Sequence, residues 1–142
     1  MTSEPLMNLQ RIGLLDSVPF SQPLLEKMLT VASSRLQDAL RKDNSMETRF
    51  DCAYTAIRAI ADAALLKQGF RTSTSKPGHH QTTLQCLAHT LSVDASTVRI
   101  LNSLRKQRNL TDYDGELITE SLLQECILQA SSMLKLAQHA LM

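Results

Sequence analysis

Apolar residues recur at three- and four-residue steps along most of the chain, which is the spacing of one face of an α-helix. The first such helix opens at residues 21–23, with Ser21 or Gln22 near the cap and Pro23 in the first turn, and residues 43–45 end it. Its apolar stripe contains Leu25, Met28, Leu29, Ala32, Leu36, Ala39 and Leu40.

The second predicted helix has the clearest stripe, which continues for five turns without a break. Ser45 is positioned to cap it, and Gly69 suits the left-handed position just past its end. Asp51, Arg58 and Asp62 occupy the opposite side, with the last two spaced i,i+4. The stripe itself is Phe50, Ala53, Tyr54, Ile57, Ile60, Ala61, Ala64 and Leu65.

A polar loop over residues 71–78 separates these helices from the second half of the chain. A third helix starts near His79, and Asp94 is a good N-cap for a further helix, with only a short break at residues 92–93 between them. These two segments are either two helices or one kinked helix. The sequence Asp114-Gly115 ends the second of them, and the last helix runs to the C-terminus through Ile118, Leu122, Cys126, Ala130, Met133, Leu134, Ala137 and Leu141.

Residues 1–20 lack such a stripe and are interrupted by Pro5, Gly13 and Pro19. We interpret them as an irregular arm, with room for one helical turn, folded over a single domain of residues 21–142. No segment alternates like a strand, and most positions hold residues of high helix propensity. The predicted fold is therefore all-α, an antiparallel up-and-down bundle of four or five helices.

Composition narrows the class of protein further. The formal net charge of +1 excludes a nucleic-acid binder that depends on bulk positive charge, but it leaves room for a local basic patch. The three scattered cysteines, Cys52, Cys86 and Cys126, are typical of buried thiols in a reducing compartment. No apolar run approaches the roughly 18 residues of a membrane span, and Glu4 stands where a signal peptide is basic. We expect a cytoplasmic protein with no membrane contact.

Candidate chemistry is concentrated in residues 104–115, at the junction of two predicted helices. Guanidinium groups bind pairs of phosphate oxygens through their planar fork, and amide and phenol groups supply further hydrogen bonds. This stretch therefore suits a phosphate or an RNA backbone better than any other part of the chain. Its phosphate-binding groups are Arg105, Arg108, Asn109 and Tyr113.

Arg108 continues the apolar stripe of Leu101 and Leu104, so it needs a partner if it is buried. Arg105, Arg108 and Asp112 step by three and four residues and so lie along one side of the helix. The partner of Arg108 is then a carboxylate, a backbone carbonyl or a second chain. If it is a carboxylate, helix 2 offers Asp51 and Asp62.

A purely structural interpretation of the same stretch is also open. Thr111 with Asp114, or Asp114 alone, can cap the last helix, and Tyr113 can fold over the edge of the core. The adjacent His79 and His80 point to different sides of a helix, which makes them a poor metal pair. No glycine-rich phosphate loop, nucleophile elbow or paired-carboxylate motif is present. We expect neither a metal nor a cofactor.

Two segments in a fixed order carry a family resemblance. Residues 49–70 are alanine-rich, with Phe50 near the start and Gly69-Phe70 at the end, and after the loop residues 78–81 place histidines at a helix start. Residues 105–115 then contain an arginine, a polar residue and, five positions after the arginine, Tyr113. Over roughly residues 45–140 this pattern resembles the HEPN superfamily, the small helical bundles of prokaryotic toxin–antitoxin and defence systems.

The resemblance implies a site and a partner. Members with the intact motif are metal-independent ribonucleases, in which the arginine stabilises phosphate charge and a histidine assists proton transfer near the 2′-hydroxyl. Here Arg108 and Tyr113 hold those two catalytic positions, and a phenol with a pKa of about 10 replaces a group that titrates near neutral pH. His79 or His80 is a candidate substitute. The expected binding residues are Arg105, Asn109, Asp112, His79, His80 and Asp51.

The resemblance thus predicts a homodimer that binds RNA or a nucleotide, toxin-like or defence-associated, with weak or lost ribonuclease activity. HEPN domains commonly pair through the helices that carry the motif. Two other functions stay open. One is a non-catalytic interaction module for a nucleotidyltransferase-like partner. The other is a plain helical scaffold in which Arg108 forms a structural ion pair.

Overall fold

Four long helices dominate the computed structural model, which describes residues 3–115 and 117–142 except for the side chain of Tyr113. The prediction of an all-α helical bundle is confirmed. The elements in chain order are α1 (Glu4–Arg11), β1 (Leu15–Ser17), α2 (Gln22–Leu40), α3 (Met46–Lys67), β2 (Phe70–Thr72), α4 (His79–Gln85), α5 (Leu87–Thr90), α6 (Ala95–Asp114) and α7 (Glu120–Leu141).

Side-chain caps fix where the long helices begin. The hydroxyl of Ser21 accepts from the backbone N–H of Leu24 at the start of α2, and Asp94 caps α6 in the same way. The cap of α7 was predicted wrongly: it is Thr119, not Thr111 or Asp114. Both of those residues lie inside α6, which continues until Gly115 takes a left-handed conformation with φ +70°.

Helix α3 lies at the centre of the bundle, where it packs against α2 and α7 and also contacts α4 and α6. Its predicted stripe is buried throughout, and Ala53, Ala56 and Ala64 are fully buried. Such small side chains let neighbouring helices approach closely. The three cysteines are buried and free, as predicted.

The N-terminal residues are more ordered than the predicted irregular arm. They form the two-turn helix α1 and the strand β1, which pairs antiparallel with β2. Leu6, Leu15 and Phe70 pack there on the far end of α3 in a small apolar cluster. Strands of three residues are too short to show an alternating pattern, so the sequence did not predict this two-stranded sheet.

The segment between β2 and α6 places the histidines beside α3. It forms two short helices, α4 and α5, and a break at residues 91–94 separates them from α6. The third helix does start at His79, as predicted. Since α4 contacts both α3 and α6, it lies beside both long helices.

Replacing the N-cap residue of α3 tests how much that cap contributes to the stability of the bundle. The Ser45 hydroxyl accepts from the backbone N–H of Thr48 at 3.1 Å. Ser45→Ala leaves that donor without its partner, so we expect the free energy of unfolding to fall by about 1 kcal/mol. Urea unfolding followed by circular dichroism measures this loss. Ser34→Ala, an exposed change within α2, is the matched control and should cause no loss.

Candidate functional site

A groove of about 330 Å³ opens where α3, α4 and α6 meet, and we call it the α3–α4–α6 groove. Three helices contribute to it because α4 crosses the surface between the two long ones. Most of its lining comes from one face of α3, with one histidine from α4 and one arginine from α6. The lining residues are Tyr54, Thr55, Arg58, Ala59, Asp62, His80 and Arg108.

Arg108 is held in the groove by an ion pair with α3. Its Nε donates to Oδ1 of Asp51 at 2.7 Å, and Oδ2 of Asp112 lies 3.8 Å from the same nitrogen. The guanidinium carbon also lies 5.3 Å from the centroid of the Tyr54 ring, a cation–π distance. Of the partners that the sequence left open for Arg108, which were a carboxylate, a backbone carbonyl and a second chain, the structure shows a carboxylate, that of Asp51 on α3.

The Arg108–Asp51 pair is only partly shielded from solvent. The Arg108 side chain is 28% exposed and that of Asp51 is 51% exposed. Burial lowers the pKa of Arg108, but the hydrogen bond and charge of Asp51 outweigh that effect and raise it. Arg108 therefore stays charged, while its contacts with both carboxylates involve Nε. Among the described residues its hydrogen bond to a carboxylate uses Nε, and the terminal nitrogens of a guanidinium are the pair that suits phosphate oxygens.

Arg58 is the second guanidinium of the groove, and its ion pair with Asp62 is long. Asp62 lies 3.9 Å away at i,i+4, and the buried Nε of Arg58 has no hydrogen-bond partner among the described residues. Among the described residues the Tyr54 hydroxyl is also buried without a well-formed hydrogen bond, although it lies close enough to Arg58 for that side chain to act on its pKa. Burial raises the pKa of that phenol, although the charges of Arg58 and Arg108 oppose the rise. Two donors are thus buried at the groove with unused hydrogen-bonding capacity, which is uncommon in folded proteins.

His80 contributes a neutral imidazole to the same groove. Burial lowers its pKa to about 4, and the charges of Arg58, His79, Arg108 and Arg105 add to this effect. His79 does not line the α3–α4–α6 groove, although its ring lies edge-on to that of His80 with centroids 4.3 Å apart. Of the two predicted histidines, the structure therefore places His80 in the groove with Arg58 and Arg108, and His79 beside it but outside this groove.

The low pKa of His80 predicts a pH-dependent loss of stability. Unfolded histidine titrates at about 6.5, so between that pH and about 4 the unfolded state binds a proton that the folded state does not. Stability should therefore decrease as the pH falls through this window. Unfolding at pH 7 and pH 5 measures the loss. His80→Gln should reduce it, whereas the exposed His139→Gln should retain it. An equal loss in all three proteins would contradict the assignment.

The other predicted site residues lie on α6 outside the groove. Arg105 donates from Nε to Oδ1 of Asn102 at 2.9 Å, and its charge still acts on His80. Asn109 is half-buried beside Arg108, and Asp112 is exposed and contacts Arg108. The side chain of Tyr113, the predicted second catalytic group, lies outside the described residues.

Sequence reasoning missed the contribution of Arg58 and Tyr54. Tyr54 was assigned to the core because it belongs to the apolar stripe of α3, and its ring is indeed buried. Arg58 lies one turn further along the helix, on the side that faces α4 and α6. The i,i+4 spacing of Arg58 and Asp62, together with the expected contact of Arg108 with this helix, was the signal that pointed to it.

The groove is suited to hold an anion more than to coordinate a metal. Its donors are two guanidiniums, a phenol and an imidazole, and the described residues contain no group of three or more histidine, cysteine or acidic side chains placed to bind a metal ion. Within the same described ranges, no helix has the length and apolar character of a membrane span. Searches with protein-family models and against curated proteins returned no match to this sequence.

Proposed function

We propose that this chain is a HEPN-like helical domain that binds RNA or a nucleotide and holds a phosphate in the α3–α4–α6 groove. One observation carries the proposal: guanidiniums from two different helices, Arg58 and Arg108, line one groove with a neutral histidine and a buried phenol. Guanidinium groups are preferred for bidentate phosphate binding, because two parallel N–H groups match two phosphate oxygens.

The electrostatics of the groove favour local rather than bulk recognition. Asp51, Asp62 and Asp112 offset much of the positive charge that the arginines bring, and the chain has a net charge of only +1. A bound phosphate would accept hydrogen bonds from the Arg58 Nε and the Tyr54 hydroxyl, two buried groups that form no well-placed hydrogen bond with a described residue. We therefore expect RNA affinity to fall with salt as if only about one or two phosphates were contacted.

The same groups support binding better than catalysis. General acid–base catalysis is most efficient with a group that titrates near the working pH. His80 is neutral and can accept a proton, but a pKa of about 4 makes it a weak base. Weak or lost ribonuclease activity is consistent with this arrangement. We therefore propose that the protein binds RNA rather than cleaves it, in a toxin-like or defence-associated role.

The test is to incubate the purified protein with a labelled RNA in the presence of a chelator. Filter binding measures retention at several salt concentrations, and gel electrophoresis measures cleavage in the same samples. We expect salt-dependent binding with a shallow slope and little or no cleavage. The proposal would be refuted if the protein bound neither RNA nor a mononucleotide. Rapid metal-independent cleavage would refute the part that concerns lost activity.

A homodimer belongs to this proposal, and one observation favours it. Leu110 is partly exposed near the end of α6, and Leu117 is largely exposed just beyond it. Both lie next to the arginine-bearing part of α6, where HEPN-type pairing is expected from the resemblance. Sedimentation equilibrium measures the mass in solution. A monomer at concentrations that bind RNA would refute this part of the proposal.

A further inference from the structure

A second and larger cavity, of about 490 Å³, lies on the other side of the Arg58–Asp62 pair. It is enclosed by the chain before α2, by α2 and α3, and by β2, the following loop and α4. Its volume falls in the range of small-molecule sites, roughly 300–1,000 Å³. We call it the α2–α4 cavity. Its apolar walls are formed by Val18, Pro19, Leu24, Met28, Leu66 and Phe70.

The α2–α4 cavity adjoins the α3–α4–α6 groove. Arg58 and Asp62 line both of them, so one turn of α3 forms the wall that they share. The paired histidines repeat this arrangement, because His79 lines the cavity and His80 lines the groove with ring centroids 4.3 Å apart. A ligand bound by Arg58 in the groove is therefore next to the mouth of the cavity.

Hydrogen-bond acceptors are present among the apolar walls. Thr83 donates to the backbone carbonyl of His79 at 2.9 Å, and its hydroxyl lies 2.6 Å from that of Thr72. Because Thr83 uses its proton on the carbonyl, Thr72 donates to Thr83 and keeps its own lone pairs for a ligand. The Asp62 carboxylate is a second acceptor on the shared wall. Both oxygens suit a ligand edge that carries N–H groups.

We propose that the α2–α4 cavity binds the base of a nucleotide whose phosphate lies in the α3–α4–α6 groove. This inference rests on the proposed function. A base has two flat apolar faces, which suit Met28 and Phe70, and an edge that hydrogen-bonds to Asp62 and Thr72. A wholly apolar ligand would leave Arg58, Asp62 and His79 desolvated without new partners, which is costly. Bases with an exocyclic amino group, such as adenine, match the acceptors best.

Competition against labelled RNA tests this inference, with adenosine 5′-monophosphate and ribose 5-phosphate as the competitors. Both carry the same phosphate, so the ratio of their inhibition constants isolates the contribution of the base. Burying a base against protein side chains typically strengthens binding by about tenfold to a hundredfold. We expect adenosine 5′-monophosphate to compete at least about tenfold better than ribose 5-phosphate.

Substitutions that fill the α2–α4 cavity test whether the base binds there. Leu24→Trp adds bulk from α2 and Thr74→Trp from the loop after β2, both at exposed positions that line the cavity. Leu40→Trp is the matched control at an exposed position of α2 outside the cavity. Both blocking variants should bring the ratio close to one without changing the inhibition constant of ribose 5-phosphate. Circular dichroism verifies that each variant is folded.

The outcomes separate the two proposals. Equal competition by the two compounds, or a ratio that persists in both blocking variants, would overturn the base site while RNA binding leaves the groove proposal intact. Absence of binding of both RNA and adenosine 5′-monophosphate to the wild-type protein would overturn the groove proposal and the base site together. The base site would be supported if the tenfold ratio of inhibition constants were lost in both blocking variants and kept in Leu40→Trp.

Discussion

Arg108→Ala should lower the affinity for RNA by at least about tenfold, because a charge-assisted hydrogen bond contributes about 1.5–3 kcal/mol and 1.4 kcal/mol is a factor of ten. The same change should lower the free energy of unfolding by no more than about 1 kcal/mol. Arg108 and Asp51 are both partly exposed, so solvent screens their attraction. Filter binding with labelled RNA and urea unfolding measure the two quantities on the same preparations.

Comparing the loss of RNA affinity with the loss of folding free energy distinguishes a binding arginine from a structural one. A buried ion pair loses about 3–5 kcal/mol when one partner is truncated, so a loss of that size with unchanged RNA affinity would favour the plain scaffold. Arg99→Ala is the matched control. Arg99 is exposed on α6 nine residues before Arg108, which places it on the opposite face of the helix. Its replacement should change neither quantity appreciably.

Ile60→Ala should lower the free energy of unfolding by about 3 kcal/mol, within the range of 2–5 kcal/mol for such truncations in a packed core. Ile60 has no exposed surface and belongs to the stripe of α3, the helix on which the rest of the bundle packs. Truncation there leaves a cavity among helices that are already close together. Guanidinium unfolding measures the change.

An exposed apolar residue provides the comparison for Ile60. Leu128 on α7 is 59% exposed, so Leu128→Ala should change the free energy of unfolding by less than about 0.5 kcal/mol. The slope of the free energy of unfolding against denaturant concentration should stay the same in both variants, because neither alters how much surface unfolding exposes. A loss below 1 kcal/mol for Ile60→Ala would contradict the central position of α3.

The parts of this fold that the sequence predicted are those fixed by local signals. The stripe of α3 follows from apolar spacing. The hydroxyl of Ser45 caps the start of that helix, and the left-handed backbone of Gly69 follows its end, so neighbouring residues determine both limits. That Arg108 has a partner was predicted by a different argument, since a buried guanidinium on an apolar stripe needs one. That argument left a carboxylate (Asp51 or Asp62), a backbone carbonyl and a second chain as alternatives, and only the placement of α6 against α3 selects Asp51.

The parts that the sequence did not predict depend on residues distant along the chain. The pairing of β1 with β2 joins Leu15 to Thr72, and no local pattern marks strands of three residues. The low pKa of His80 arises first from its burial and then from nearby positive charges, including arginines on α3 and α6, and the sequence places neither around it. The α2–α4 cavity combines side chains from the chain before α2, two long helices, a strand, a loop and a short helix. Its existence depends on how those elements pack.

The most direct test of the α3–α4–α6 groove is a ¹H–¹⁵N spectrum of the arginine side chains during titration with a short RNA. The Nε–H signals report on each guanidinium separately, so the binding site is read without mutation. We expect the signals of Arg58 and Arg108 to shift with RNA concentration while that of Arg99 stays in place. Shifts at Arg99 with none at Arg58 and Arg108 would contradict phosphate binding in this groove.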